Sequence, residues 1–199
     1  MIPIVITQRG SKRIKFVTES LKKAGIEDYR FFHGLNGEKS GLKATIPYIE
    51  DNRLDPYYIC SKHVGCTMSH IMLWSALEMT REDDYWLILE DDVVFRDGWR
   101  AAVDLALKEV PENWDMIFAG SCCSVGRVEE QVGHNLYRCH PLCTHAYIVR
   151  RKALKPLLET TAEISAHIDL LIYFKTRHLL NSYSILPRVA DQFETEIPD

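Results

Sequence analysis

Short apolar runs alternate along this chain with segments of helical periodicity, and this order is the strongest constraint on its fold. Runs typical of strands lie at residues 2–6, 29–33 and 183–186, and runs that fit buried strands lie at residues 85–89, 114–119 and 145–149. Helices are predicted over residues 12–24, 66–79, 99–110 (capped by Asp97) and 168–180, and a further helix begins at Arg151. This alternation favours an α/β fold, a Rossmann-like layered sheet with helices on both faces.

Length and charge narrow the possible functions. The 199 residues fit one domain, so we expect a single domain over residues 1–199. Lys and Arg total 24 against 28 Asp and Glu, and the resulting charge of −4 provides no positive field for nucleic acid. Residues 34–58, where Gly, Asn, Lys, Asp and Pro cluster, are predicted to form a long loop.

The N-terminus and the cysteines bear on location. Residues 1–6 are apolar but lack a basic segment before them and a small-residue cleavage site, so no signal peptide is predicted. The longest apolar stretches fall short of the roughly 20 residues that cross a bilayer. We therefore expect a soluble, cytoplasmic protein without a transmembrane segment. Its six cysteines are expected to be free thiols, and residues 139–145 lack the paired spacing of a structural zinc site.

Three consecutive carboxylates, Glu90, Asp91 and Asp92, follow the apolar run at residues 85–89. Open α/β sheets bind ligands at the carboxyl ends of strands, and a divalent ion relieves the repulsion between adjacent carboxylates. In an extended segment Glu90 and Asp92 face one side and Asp91 the other. We predict that Glu90 and Asp92 hold Mg²⁺ or Mn²⁺, which could bridge the phosphates of a nucleotide diphosphate. A solvated acidic turn is the alternative that the triplet alone leaves open.

This acidic segment resembles the acidic motif of glycosyltransferase family 25, which includes bacterial lipo-oligosaccharide glycosyltransferases and procollagen galactosyltransferases. Residues 65–74 (GCTMSHIMLW) are similar to the family's Gly-x-x-x-Ser-His helix. Residues 143–149 resemble its Gly-Thr-His-Ala-Tyr strand, with Cys143 in place of Gly, and residues 167–169 resemble its Pro-Val-Asp segment. Order and spacing are kept over nearly the whole chain.

The resemblance implies a GT-A type fold, a single catalytic domain, a divalent cation (Mn²⁺ or Mg²⁺) and a nucleotide-sugar donor such as a UDP-sugar. It also implies inverting transfer of a hexose to a hydroxyl of a glycan, a lipo-oligosaccharide or a collagen-like chain. Lipopolysaccharide biosynthesis and collagen glycosylation are the corresponding processes. An inverting transfer needs a base opposite the departing diphosphate, and Asp169 is the candidate. The alternative for Asp169 is an N-cap of the next helix.

Two pairs of residues in these motifs are candidate donor contacts. Ser69 and His70 contact the donor or brace the acidic strand, although a histidine on a packed helix is more commonly a core residue. His145 and Tyr147 alternate on a strand and are expected to share one face, where they could line the sugar pocket. The alternative for this pair is a half-buried face of the sheet.

Three further residues complete the predicted donor site. Arg13 matches a family position and could hold diphosphate oxygens, or it could lie on a helix surface. Asn36 precedes Gly37, and the two resemble an Asp-Gly pair of the family that would lie near the base or ribose, but Asn-Gly is also a turn signal. Asp91 is assigned to the donor because it belongs to the acidic motif.

Two other functions stay open at this point. One is an inactive GT-A relative that serves as a binding or scaffold module, which the intact carboxylates argue against. The other is a nucleotidyltransferase, which would also use carboxylates and a divalent ion. The chain lacks the Gly-rich basic loop that phosphate-binding enzymes of this kind use.

Overall fold

The computed structural model describes residues 1–40, 61–80, 84–122 and 128–193. Within these ranges the strands are β1 Ile4–Thr7, β2 Arg30–His33, β3 Tyr85–Glu90, β4 Val93–Phe95, β5 Met116–Cys122, β6 Val128–Gln131, β7 Leu136–Cys139, β8 Leu142–Arg150, β9 Ser182–Ile185 and β10 Ala190–Gln192. The helices are α1 Arg13–Lys23, α2 Ser61–Met79, α3 Trp99–Glu109, α4 Arg151–Thr160 and α5 Ile168–Leu171, which continues as a π-helix over Ile172–Thr176.

Eight of the strands in the described ranges form one mixed sheet in the order β2-β1-β3-β8-β5-β9-β7-β6. β1 runs parallel to both β2 and β3, and β5 runs parallel to β9. β8 lies between β3 and β5 and is antiparallel to both. β4 and β10 form a separate antiparallel pair. β8 therefore begins at the edge of the sheet where β1 and β3 end.

The sheet is covered on both faces because successive residues of its central strands point to opposite sides. Leu89 packs on one face in a cluster that includes Val17 of α1 and Val103 of α3. Ile88 packs on the other face in a cluster that includes Trp74 of α2, together with residues of α4 and α5. A strand buried on both faces is an unbroken apolar run in the sequence. The predicted α/β architecture with helices on both faces is confirmed.

Two predictions about local structure were wrong in detail. Gly98, with a φ of 77°, occupies the N-cap position of α3, so Asp97 lies one residue too early to cap the helix. The helix predicted over residues 168–180 is α-helical only over Ile168–Leu171 and then widens into the π-helix. The hairpin of β6 and β7 was not predicted, because all four residues of β6 are exposed and carry no apolar alternation.

The expectations about the cysteines, the long loop and membrane-spanning helices can be compared with the described residues. Cys66 and Cys139 form no disulfide, but Cys143 is disulfide-bonded, so the prediction of free thiols was wrong there. Cysteine pairing depends on spatial proximity, which the sequence does not show. The loop predicted at residues 34–58 lies mostly outside the described residues, and residues 34–40 form neither helix nor strand. Among the described residues, every helix is too short or too polar to cross a membrane.

Candidate active site

The carboxyl ends of β1 and β3 bring the acidic segment beside the end of the first strand. The two strands are parallel neighbours, and Ile6 pairs with Glu90. The Thr7 hydroxyl donates a 2.7 Å hydrogen bond to Oδ2 of Asp91. The acidic residues therefore lie at the edge of the sheet where open α/β proteins bind ligands.

A turn separates the three carboxylates. β3 ends at Glu90, and Asp91 and Asp92 form the turn before β4. Nη1 of Arg13 lies 3.4 Å from Oδ1 of Asp91 and 3.3 Å from Oδ2 of Asp92. The prediction that Asp91 faces away from Asp92 was wrong, because strand alternation stops where the turn begins. Arg13, predicted to hold diphosphate oxygens, contacts both carboxylates at the same edge.

Glu90 has a different set of partners from the two aspartates. Its Oε1 accepts a 2.6 Å hydrogen bond from the Thr144 hydroxyl and lies 3.2 Å from Nε2 of His70. Burial would raise the pKa of the Glu90 carboxyl, but the hydrogen bonds from His70 and Thr144 outweigh it and hold the pKa below its usual value. Glu90 is therefore ionised at neutral pH.

A buried polar chain leads from the core to Glu90. Nε1 of Trp74 donates to the Tyr147 hydroxyl at 2.9 Å, and that hydroxyl lies 2.9 Å from Nδ1 of His70. All three side chains are fully buried. His70 contacts the acidic strand as the bracing interpretation predicted, and Tyr147 lies behind His70.

Ser69 and Asn36 hold the segment that follows β2. Oγ of Ser69 donates to the Gly65 carbonyl at 2.6 Å and accepts the Leu35 N–H at 2.9 Å. A Cβ on Gly34 would lie 2.3 Å from that same Oγ, so the backbone passes directly over Ser69. The Asn36 amide donates to Gln8 at 2.6 Å, and its oxygen accepts the Lys39 N–H at 2.9 Å, which is a turn contact.

A cavity of about 300 Å³ lies between this segment, the end of β1 and α2. It brings together six of the residues that the sequence predicted for the site. The predicted residues that line it are Arg13, Asn36, Ser69, His70, Glu90 and Asp91. Asp92 is not among the residues that line it.

A second cavity, of about 260 Å³, adjoins the first. It contains Asp169, whose Oδ2 accepts the Cys143 N–H at 3.1 Å and whose Oδ1 accepts the Leu170 N–H at 2.8 Å. The N-cap position of α5 belongs to His167, so Asp169 lies in the first turn of the helix. The two cavities share three lining residues, and these are His63, Cys66 and Glu90.

Four residues that line the second cavity were missed by the sequence reasoning: His63, Cys66, Thr144 and His167. A signal for two of them was present, because His63 and Cys66 precede the predicted His70 at the 3–4 spacing of one helix face. Thr144 had no comparable signal, because its contact with Glu90 depends on the pairing of β3 with β8. His63 and His167 stack with ring centroids 3.7 Å apart.

His145 and Tyr147 do not line either cavity. Nε2 of His145 lies 3.2 Å from the Ala190 carbonyl, next to β5, whereas Tyr147 contacts α2. Burial lowers the pKa of His145. The two side chains thus contact different elements, and the pairing of β5 with β8 is irregular near Gly120. Their assignment to the donor stays a prediction.

The acidic turn fits a divalent cation with oxygen ligands. Oδ1 of Asp92 is buried and has no hydrogen-bond partner among the described residues. Burial, together with the charge of Glu90, raises the pKa of Asp92 to about 7 although Arg13 opposes the rise. A buried carboxylate oxygen without a donor, next to further carboxylates, is an environment that a hard dication stabilises. Glu90 and Asp92 remain the predicted ligands.

A mixed sheet with helices on both faces, and carboxylates at its strand ends beside two joined cavities, defines an α/β protein with a candidate ligand site at the carboxyl ends of its strands. The family model "Glycosyltransferase family 25 (LPS biosynthesis protein)" matches residues 4–135, and the chain belongs to this family. At the level of the family, its class of enzyme is glycosyltransferase. The resemblance to this family is confirmed over residues 4–135, and the motifs at residues 143–149 and 167–169 lie beyond the matched range.

The individual proteins that match this chain share little sequence identity with it. "Putative glycosyltransferase R655" of Acanthamoeba polyphaga mimivirus is 23% identical over 120 residues, which cover 60% of this chain and 36% of that protein. This chain therefore matches about a third of that relative's length. The solved structure "Crystal Structure of A197 from STIV" has a TM-score of 0.55 and 16% identity, and the alignment covers 98% of this chain and 87% of the other. That likeness shows a shared fold.

Proposed function

We propose that this protein transfers a hexose from a UDP-sugar to a hydroxyl acceptor, with inversion at the anomeric carbon and with the help of Mn²⁺ or Mg²⁺. We further propose that residues 1–199 act as one catalytic domain of GT-A type. The observation that carries the proposal is that two cavities meet at the ionised Glu90. Such an arrangement allows a donor and an acceptor to approach one carboxylate from two sides.

The larger cavity suits the donor. Its volume of about 300 Å³ is at the lower end of small-molecule sites, and its open side allows a longer ligand to extend out of it. Arg13 and Lys62 are the cationic side chains among its lining residues, and Arg contacts with phosphate oxygens are geometrically favourable. The amide of Asn36 also lines this cavity, where it could contact a ribose or base.

The acidic turn would hold the cation through Glu90 and Asp92, and the cation would offset the charge of the departing diphosphate. Neighbouring side chains of the protein would orient Glu90 and Asp92 for this binding. Thr144 and His70 fix one oxygen of Glu90 and favour its ionised form. Arg13 contacts one oxygen of Asp92 and leaves the other without a donor.

The smaller cavity suits the acceptor, and Asp169 is the proposed base. Two backbone N–H groups orient its carboxylate, and the remaining lone pairs of the same oxygens stay available for a hydroxyl proton. As the acceptor oxygen bonds to the anomeric carbon, the bond from that carbon to the diphosphate breaks and the hydroxyl proton passes to Asp169. The family description, LPS biosynthesis, supports a lipo-oligosaccharide as acceptor ahead of a small glycan or a collagen-like chain.

Calorimetric titration with UDP and a panel of UDP-sugars, with and without Mn²⁺, tests the donor site. We expect Mn²⁺-dependent binding in the wild type, its loss in Asp92→Asn, and its retention in the matched control Asp104→Asn, which changes an exposed residue of α3. Failure of the wild type to bind any nucleotide in the presence of Mn²⁺ would overturn the proposal. Asp169→Asn should bind the donor normally and lose transfer to an acceptor.

A further inference from the structure

We propose that Cys66, His70 and Glu90 form a metal site of a softer kind, which binds a dication such as Zn²⁺ through a thiolate, an imidazole and a carboxylate. One potential ligand atom from each residue lies within 4.8 Å of the other two. The site shares Glu90 with the proposed oxygen-ligand cation site but adds sulfur and nitrogen donors. It does not depend on the proposed sugar transfer.

The backbone places the three side chains together. Cys66 and His70 are four residues apart on α2 and therefore share one face of the helix. That face is opposite Glu90, the last residue of β3. Nε2 of His70 lies 3.2 Å from Oε1 of Glu90. Ligands about 2.0–2.2 Å from a tetrahedral zinc ion are separated by roughly 3.3–3.6 Å, so this pair already has a suitable spacing.

Hydrogen bonds from neighbouring side chains orient two of the proposed ligands, as they commonly do in metal sites. Zinc-bound histidines commonly donate their second ring N–H to a fixed acceptor, which orients the ring. The Tyr147 oxygen lies 2.9 Å from Nδ1 of His70 and can accept that N–H, so that Nε2 can give up the proton it donates to Glu90 and offer its lone pair to a metal bound beside Glu90. The Thr144 hydroxyl holds the carboxylate of Glu90 in the same way. Both ligands are therefore oriented before a metal binds.

Ligand type determines the preferred metal. A thiolate and an imidazole favour Zn²⁺ over Mn²⁺ and Mg²⁺, which prefer oxygen ligands. Three protein ligands leave a fourth tetrahedral position open. Cys66 and Glu90 line both cavities, so a small oxygen ligand could reach that position from either side. On binding, the Cys66 thiol releases one proton to the solvent and its sulfur forms a bond to the metal.

Titration of the whole chain with Co²⁺ and Zn²⁺, without nucleotide, tests the site. Co²⁺ bound to a thiolate gives a near-ultraviolet charge-transfer band, and Zn²⁺ affinity can be measured by competition with a chromogenic chelator. The variants are Cys66→Ala and, as a matched control, Cys139→Ala, which removes the other cysteine of the described residues that forms no disulfide. The work is done without reductant so that Cys143 stays disulfide-bonded.

We expect the thiolate band in the wild type and in Cys139→Ala, and its loss in Cys66→Ala with Zn²⁺ affinity weakened at least about tenfold. Absence of the band from the wild type would overturn the proposal, and so would equal Zn²⁺ affinity in the wild type and Cys66→Ala. The wild-type spectrum tests for the thiolate–metal bond even if a variant fails to fold. Because no nucleotide is present, failure here is distinguishable from failure of UDP to bind with Mn²⁺.

Discussion

The Thr144 hydroxyl donates a 2.6 Å hydrogen bond to Oε1 of Glu90 from a position 54 residues further along the chain. The contact joins the beginning of β8 to the end of β3, two antiparallel neighbours in the sheet. It directs the carboxylate toward the junction of the two cavities. Charge-assisted hydrogen bonds of this kind are stronger than neutral ones, so the contact should affect what Glu90 can bind.

Replacing Thr144 with Val keeps the size of the side chain and removes the donor to Glu90. We expect the Kd for UDP in the presence of Mn²⁺ to rise by about tenfold, because loss of one charge-assisted hydrogen bond is worth roughly 1.5 kcal/mol. Calorimetry measures the change. Thr161→Val is the matched control, since Thr161 is buried and its hydroxyl donates within α4 to Leu157. Equal weakening in both variants would contradict a specific role for Thr144.

Tyr147→Phe should lower the stability of the protein. The phenol oxygen contacts Nε1 of Trp74 and Nδ1 of His70, and its removal leaves both groups buried without that partner. We expect a loss of about 1–3 kcal/mol in the free energy of unfolding. Urea denaturation followed by tryptophan fluorescence checks it, and an unchanged midpoint would mean that the polar chain behind Glu90 contributes no net stability.

Gly37 permits a close approach between the segment after β2 and the start of α2. A Cβ at this position would lie 1.6 Å from the Ser61 carbonyl, so Gly37→Ala forces the backbone apart. We expect a loss of about 1–3 kcal/mol in unfolding free energy and weaker UDP binding, since Asn36 moves with the segment. At Gly133, a Cβ would mainly meet the movable carboxylate of Glu109. Gly133→Ala should therefore be the milder substitution in the same denaturation measurement.

Acid should weaken the β4–β10 pair. The pKa of Asp191 is lowered by its hydrogen bond with Arg96, whose Nε lies 2.5 Å from Oδ2, and by the charge of Arg188. A carboxyl with a lowered folded-state pKa contributes stability that is present above its unfolded pKa of about 3.9 and is lost as the pH falls through the folded value. The wild type should therefore be more stable than Asp191→Asn at neutral pH.

That difference in stability should shrink as the pH falls below about 4 and be lost as the pH falls through the lowered folded-state pKa of Asp191. Thermal unfolding of both proteins across this range measures it. Glu130→Gln, at an exposed position of β6, is the control and should show no such convergence. A difference between wild type and Asp191→Asn that stays constant with pH would contradict the ion-pair explanation.

Much of the architecture could be predicted because it depends on local pattern. The apolar run at residues 85–89 indicated β3, and the helical spacing of residues 66–79 indicated α2. The exposed β6 and the short β4 and β10 carried no comparable pattern. The family motifs led to Ser69, His70 and Asp169, which the structure places at or beside the two cavities. Chemical roles for these residues stay predictions.

The alternation of strands and helices, the burial of the central strands and the acidic segment at a strand end could be predicted from local pattern, because these features follow from periodicities of a few residues. The contacts between distant side chains could be found only once the fold was known. Asp91 and Asp92 both contact Arg13, and Thr144 reaches Glu90. These contacts depend on where strand alternation gives way to a turn and on the order and register of distant strands, which local periodicity does not encode.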